Sequence, residues 1–320
     1  MYMFKYVMKR LGLLVLTFII IEVISFVLIK SLDIVIDIQI GKDIEILKAQ
    51  LRARGYYDPI PVQFVNYIKR IFTKGDFGIC VSLPQYRNQS VVKVFTSKLP
   101  PTILLNVYSS LVSVPIGILL GIFAALKKNR WQDQTISVTV MLFISVPSFV
   151  YAFLVQFVFC FVLGWFPLMM NAGYNYFSWP MFRSMIPAVI SLSFGSIAGY
   201  ARYTRAELTE VLTNDYMLLA RTKGLTKAQA TTRHALRNAM VPIFPSIVGE
   251  FVSVLSGSLI IEKIFAVPGV GGLYLSSINA KDYDSFMFLS GFYILVGLLA
   301  SIIIDLSYGV IDPRIRMGAK

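Results

Sequence analysis

Long apolar runs alternate with short basic loops along most of the chain. The first run covers 11–29 and follows Lys5, Lys9 and Arg10. Five more lie at roughly 100–126, 136–163, 186–204, 239–262 and 286–310. Each is near or above the ~20 residues that a helix needs to cross a bilayer. The pattern predicts an all-α integral membrane protein with six transmembrane helices. A basic start before an apolar run also opens a secretory leader. This run is longer than a leader's core and no Ala-x-Ala site follows it, so it reads as an uncleaved first span. Pro115, Pro147, Pro187, Pro242 and Pro245 fall within or at the starts of the later runs. They predict kinked helices packed on one another, with neighbours satisfying the freed carbonyls.

Residues 31–98 break this pattern. They mix charges, Gly and Pro with short apolar patches, as in Gly55-Tyr56-Tyr57-Asp58-Pro59 and Lys74-Gly75-Asp76-Phe77-Gly78. No stretch there is long enough to span. The expected organisation is therefore a cytoplasmic start and first helix (1–30), a small extracytoplasmic domain (31–98), a five-helix core (99–310) and a short tail (311–320).

Composition supports the membrane assignment. The chain of 320 residues is 56% hydrophobic and 15% charged, with mean hydropathy +0.69. Soluble domains carry about 25% charged residues, so soluble and disordered chains are both excluded. Lys and Arg outnumber Asp and Glu by 30 to 17, a formal net charge of +13. In a soluble protein that excess points to nucleic acid; here its placement accounts for it. Sixteen basic residues fall at the N-terminus, at 127–130, at 202–237 and at the C-terminus, against Arg183, Lys263 and Lys281 in the opposite short loops. The positive-inside rule places both termini in the cytoplasm, and a long loop such as 31–98 translocates largely regardless of its charge. No nucleic-acid partner is expected. Cys80 and Cys160 are the only cysteines and His234 the only histidine. They make neither a disulfide framework nor a metal cluster, and they argue against imidazole catalysis.

The loop at 203–240 is longer than two adjacent spans require. Asn214 or Asp215 can cap a short helix through Lys223, and Gly224 can supply the left-handed residue that stops it. Thr226-Lys227-Ala228-Gln229 then fits a capping box opening a second helix toward Pro242. A compact cytoplasmic element of this kind suits force transmission. A basic loop resting on anionic headgroups is the competing reading.

The run Leu219-Ala220-Arg221-Thr222-Lys223-Gly224-Leu225, followed by His234-Ala235-Leu236-Arg237-Asn238-Ala239 and Pro242, resembles the cytoplasmic coupling loop of binding-protein-dependent ABC importer permeases. More narrowly, it looks like the oligopeptide/dipeptide/nickel branch of that family. Further motifs resemble the family in order along the chain: Gly75-Asp76-Phe77-Gly78, Leu99-Pro100-Pro101-Thr102, Trp131-x-Asp133, Ser145-Val146-Pro147-Ser148-Phe149, Trp165-Phe166-Pro167, Val267-Pro268-Gly269-Val270-Gly271, Lys281-Asp282-Tyr283, Asp305-x-x-Tyr308 and Asp312-Pro313-Arg314. The family's Glu-Ala-Ala at the loop start is Leu218-Leu219-Ala220 here.

The resemblance implies a type I ABC importer permease fold, in the cell membrane of a prokaryote. It implies a pore-forming subunit that is not an enzyme and binds no cofactor, with ATP and Mg held by two separate cytoplasmic ATPase subunits. The other implied partners are a homologous second permease, as a heterodimer, and an extracytoplasmic binding protein that delivers short peptides. Asn214, Asp215, Tyr216, Leu219, Ala220, Arg221, Lys223 and Gly224 are the implied ATPase-coupling residues. Glu250, Pro268, Gly269 and Gly271 are candidate pathway or gate residues. The sequence also holds no P-loop. Intramembrane carboxylates mark functional positions by default. Asp305, beside Tyr308, reads as structural, and Glu22 is assigned no role. Import of a nickel chelate or another small solute by the same machinery is the alternative function. An ion-coupled secondary transporter would show an internal repeat, and none is visible. An intramembrane enzyme would need a motif such as His-Glu-x-x-His, which is absent.

Overall fold

A computed structural model describes residues 2–32, 49, 52–53, 55–171, 173 and 175–311. The Asp312-Pro313-Arg314 motif, the rest of the tail and most of 33–54 lie outside the described residues. Among the described residues the structure is helix and turn, with one antiparallel bridge pairing Ile79 and Ser90.

Helix α1 runs Tyr2–Lys30 and α2 runs Ile60–Lys74. Pro59 and Pro61 open α2, where an absent N–H is harmless, and Gly75 closes it at φ +61. Helix α3, Val91–Leu126, starts before the expected second span and passes through Pro100 and Pro101. Buried Val91, Val94 and Phe95 hold the turns ahead of the proline pair.

The run at 136–163 is not one straight span. It forms α4 (Trp131–Ser145) and α5 (Ser148–Val155), the latter continuing as a π-helical turn through Val162. The two halves are bent by 102°. Pro147 causes the break: it lacks an N–H and pushes the preceding residue out of the helical region, and Val146 sits at φ −83, ψ 128. Among the described residues, five helices are long and apolar enough to cross a membrane, or six if the bent pair counts as one span.

Helix α6, Trp179–Leu212, is longer than its apolar core at 186–204. Helix α7 (Asp215–Thr222), α8 (Lys227–Ala230), a π turn at Thr231–Ala235 and α9 (Leu236–Ser253) follow. The run at 239–262 is then interrupted at Gly257, φ +65, before the short helix α10, Leu259–Ile264. Helices α11 (Val270–Asn279) and α12 (Tyr283–Ile311) complete the set.

The chain divides into two compact units. The first comprises Met1–Pro100 with Gly269–Leu298. One of its cores joins Phe26, Ile29, Tyr56, Tyr67 and Met287; another joins Cys80, Leu83, Phe95, Leu273 and Leu289. Here two segments about 200 residues apart meet. Asp282 Oδ2 accepts from the Val81 and Ser82 amides, each at 2.6 Å. Asp284 lies beside the Ile79 amide at 3.4 Å and Arg70 at 3.6 Å. Both carboxylates are buried, so these bonds offset their desolvation. The Lys30 ammonium lies 3.9 Å from the Tyr56 ring centroid and 4.0 Å from that of Tyr283.

The second unit comprises Pro101–Pro268 with Leu299–Lys320. Its largest core gathers Leu105, Ala152, Met181, Met185, Ile261 and Phe265. Helices α3 and α6 touch through glycines. A Cβ on Gly117 would lie 2.8 Å from the Ile197 carbonyl oxygen, and one on Gly121 would lie 2.6 Å from that of Ala201. This is the Gly-x-x-x-Gly contact of transmembrane helices, where close backbone approach replaces the hydrophobic drive that lipid removes.

Candidate functional site

The loop after α6 folds as a small packed lever. Helix α7 starts at Asp215, whose carboxylate suits the positive end of the helix, and carries Arg221 in its last turn, where a cation suits the negative end. Asn214 is the N-cap, but its side chain makes no capping bond. The helix ends in a Schellman pattern. The Leu225 amide donates to the Ala220 carbonyl at 3.3 Å, and the Gly224 amide to that of Arg221 at 3.0 Å. Gly224 sits at φ +92, which favours glycine. The capping box also forms: the Gln229 amide donates to Thr226 Oγ1 at 3.3 Å, and the Thr226 amide to Gln229 Oε1 at 3.0 Å.

Burial sorts the residues that the family resemblance implies in coupling. Met217 and Ala220 face inward, in a cluster with Ala125, Leu208, Ala230 and Ala235. Asn214, Asp215, Tyr216, Leu219, Arg221, Lys223 and Gly224 are exposed. Ala220 therefore seats the helix, while Leu218 (65% exposed) and Leu219 (55%) are the apolar groups it presents. An exposed apolar pair between charges on a short helix is a contact surface, of the kind that meets another protein or a membrane. Beside it is a cavity of about 600 Å³ lined by Lys128, Arg130, Arg221 and Lys227 with Asp215.

Behind the lever, Arg205 near the end of α6 grips Asp133 at the start of α4. Its Nε donates to Oδ1 at 2.5 Å and its Nη2 to Oδ2 at 2.7 Å. Asp133 also accepts from the Asn129 amide at 2.9 Å. This forked pair fixes the bent third segment to the helix that carries the lever. Sequence reading noted Trp131-x-Asp133 but not its partner, because nothing local links positions 72 apart.

The remaining candidates are dispersed. Glu250, on α9, is half-buried and accepts from Ser196 Oγ at 3.2 Å. Pro268 is half-buried; Gly269 caps α11 with extended backbone, and Gly271 is buried in that helix's first turn. Glu262, which sequence reading passed over, is fully buried and accepts from the Thr102 hydroxyl at 2.8 Å.

The long apolar helices define a multi-pass membrane protein, and sequence similarity identifies its family. Residues 117–317 match the model of the binding-protein-dependent transport system inner membrane component, and residues 3–106 match that family's N-terminal model. The chain belongs to this family; it is a pore-forming component of a transport system and not an enzyme. It is 34% identical to the dipeptide transport system permease protein DppB of Lactococcus lactis subsp. cremoris (strain MG1363), over 98% of this chain and all of that one. DppB of Bacillus subtilis (strain 168) is also 34% identical, over 99% of this chain and all of its own length. The oligopeptide transport system permease protein OppB of Escherichia coli (strain K12) shares 34% identity over 81% of each chain.

Proposed function

We propose that this chain is the permease subunit of an ATP-driven importer of short peptides. The observation that carries the reading is end-to-end similarity at 34% identity to two dipeptide permeases, with every residue of both covered. In this reading a sister permease supplies the other half of the pathway, and a binding protein delivers the peptide from outside. Two cytoplasmic subunits bind ATP and Mg. The basic short loops orient both termini toward the cytoplasm.

Helix α7 is the docking element in this mechanism. Leu218, Leu219 and Tyr216 enter an apolar groove of the ATPase, and Asp215, Arg221 and Lys223 set register at the rim. Met217 and Ala220 couple that helix to the cluster holding Leu208 and Ala235. Closure of the ATPases on ATP moves α7 as a rigid piece and biases the spans between two packings. Gly224 and the capping box keep α7 and α8 at a fixed angle, so a push is not absorbed by fraying. Glu250 faces the pathway, and the segment Pro268, Gly269 and Gly271 belongs to its outer gate.

The test is reconstitution. The chain with its sister permease, ATPases and binding protein in liposomes should take up a labelled dipeptide only when ATP is inside. Uptake by this chain alone on a proton gradient would refute the reading. So would ATP-driven uptake of a nickel chelate with none of peptide.

A further inference from the structure

In the first unit, α1, α2 and α12 enclose a groove of about 540 Å³, within the range of about 300–1,000 Å³ typical of small-molecule sites. Its walls include Phe18, Phe64, Phe77, Phe288, Phe292 and Tyr67. One acidic side chain enters it. Glu22 is only 7% exposed, and its Oε1 has no hydrogen-bond partner among the described residues. That oxygen lies against α12 where Gly291 leaves room: a Cβ there would come within 3.0 Å of it. Among the described residues, no basic one lines the groove. The nearby cations are engaged elsewhere, Arg70 with Asp284 and Lys30 on the rings of Tyr56 and Tyr283.

A buried carboxyl without a partner is costly in an apolar setting. Aromatic faces attract cations through their quadrupoles, and rings around an organic ammonium are an established mode of recognition. The same unit applies this chemistry to its own Lys30, with Phe26, Tyr56 and Tyr283 around the ammonium. From the aromatic walls, the lone carboxyl and the apolar volume we infer that this groove binds a lipophilic ammonium group, its charge on Glu22 and its apolar body along the phenylalanines. The ammonium can come from a free amphiphile or from the headgroup of an aminolipid. Glu22 lies eight residues before Lys30, about 12 Å along the helix. That depth favours the free amphiphile over a headgroup held at the membrane surface.

The experiment uses the full chain purified with the rest of its transport system in phosphatidylglycerol nanodiscs. The probes are decylamine with a diazirine at the chain end and decanoic acid with the same diazirine, with labelled positions mapped by mass spectrometry. The amine should mark segments 15–22, 64–77 and 287–295 saturably, and excess dodecylamine but not dodecanoate should compete. Glu22→Gln should lower that labelling about tenfold, which corresponds to about 1.4 kcal/mol. Glu22→Asp, which keeps the charge, should retain the preference for amine over acid and controls for a misfolded Gln variant. Displacement of the probe by phosphatidylethanolamine in the disc would assign the ammonium to a lipid headgroup; competition by dodecylamine alone would assign it to a free amphiphile. Equal labelling by both probes, an unchanged Glu22→Gln, or no saturable labelling because another subunit covers the groove would each overturn the inference.

Discussion

The forked pair between Arg205 and Asp133 offers a sharp test of how the lever is anchored. Asp133 is 2% exposed and takes two guanidinium bonds, at 2.5 and 2.7 Å. A hydrogen bond to a charged group contributes about 1.5–3 kcal/mol. Removing one partner of a fully buried pair costs about 3–5 kcal/mol. The Arg205 side chain keeps 33% of its surface exposed, so water screens part of that cost, and we expect about 2 kcal/mol for Asp133→Asn. Arg205→Lys keeps the charge but loses the fork, and should cost about 1 kcal/mol. Reversible unfolding in mixed micelles measures both, and the double variant closes a cycle. Coupling of about 1 kcal/mol or more is predicted. Coupling near zero, with each single change below about 0.5 kcal/mol, would show that the pair holds nothing. Transport should fall in parallel with coupling, because α4 and the lever would no longer move together.

Three further outcomes are expected. Gly224→Val should cut transport while membrane insertion stays normal, because φ +92 strains a β-branched residue by about 1–3 kcal/mol; Gly224→Asn should be tolerated, and equal transport by both would remove the corner from the mechanism. Gly121→Leu should lower stability by about 1–3 kcal/mol or more, read as lost micelle-extracted monomer on heating, since its Cβ alone would lie 2.6 Å from the Ala201 carbonyl oxygen. Burial pushes the Cys80 thiol up to about 11, against a hydrogen bond from Ser285 that pulls it down. The fold thus favours the protonated thiol: this contribution is intact below the ordinary value of 9.0 and is lost as pH rises through about 11. Iodoacetamide at pH 8 should modify folded Cys80 about 100-fold more slowly than the unfolded chain; equal rates would contradict the burial.

Features set by a few consecutive residues were legible in the sequence. The apolar runs, the glycine corner at Gly224 and the capping box of Thr226 and Gln229 all rest on chemistry within one or two helical turns, and all are present. Pro147 was visible as a kink, but not a 102° bend, because the angle depends on what packs on either side. Ala220 belongs by sequence with the implied contact residues, yet it faces inward. A helix of two turns has too little periodicity to say which face its neighbours take. The pairs Asp133–Arg205 and Asp282 with the Val81 and Ser82 amides were not legible, since each joins positions 72 or more apart through side-chain geometry. Glu22 stands out as an acid in a span, but its aromatic surroundings come from three separate helices and the turn after one of them.

The most direct test of the central claim is contact capture from the exposed face of α7. A photoreactive benzoylphenylalanine at Leu218, in the complete transport system assembled in its membrane, should crosslink to a cytoplasmic ATPase subunit. The yield should rise or fall when ATP is added, as the lever and its partner move together. Crosslinks only to lipid, or no product at all, would contradict the account.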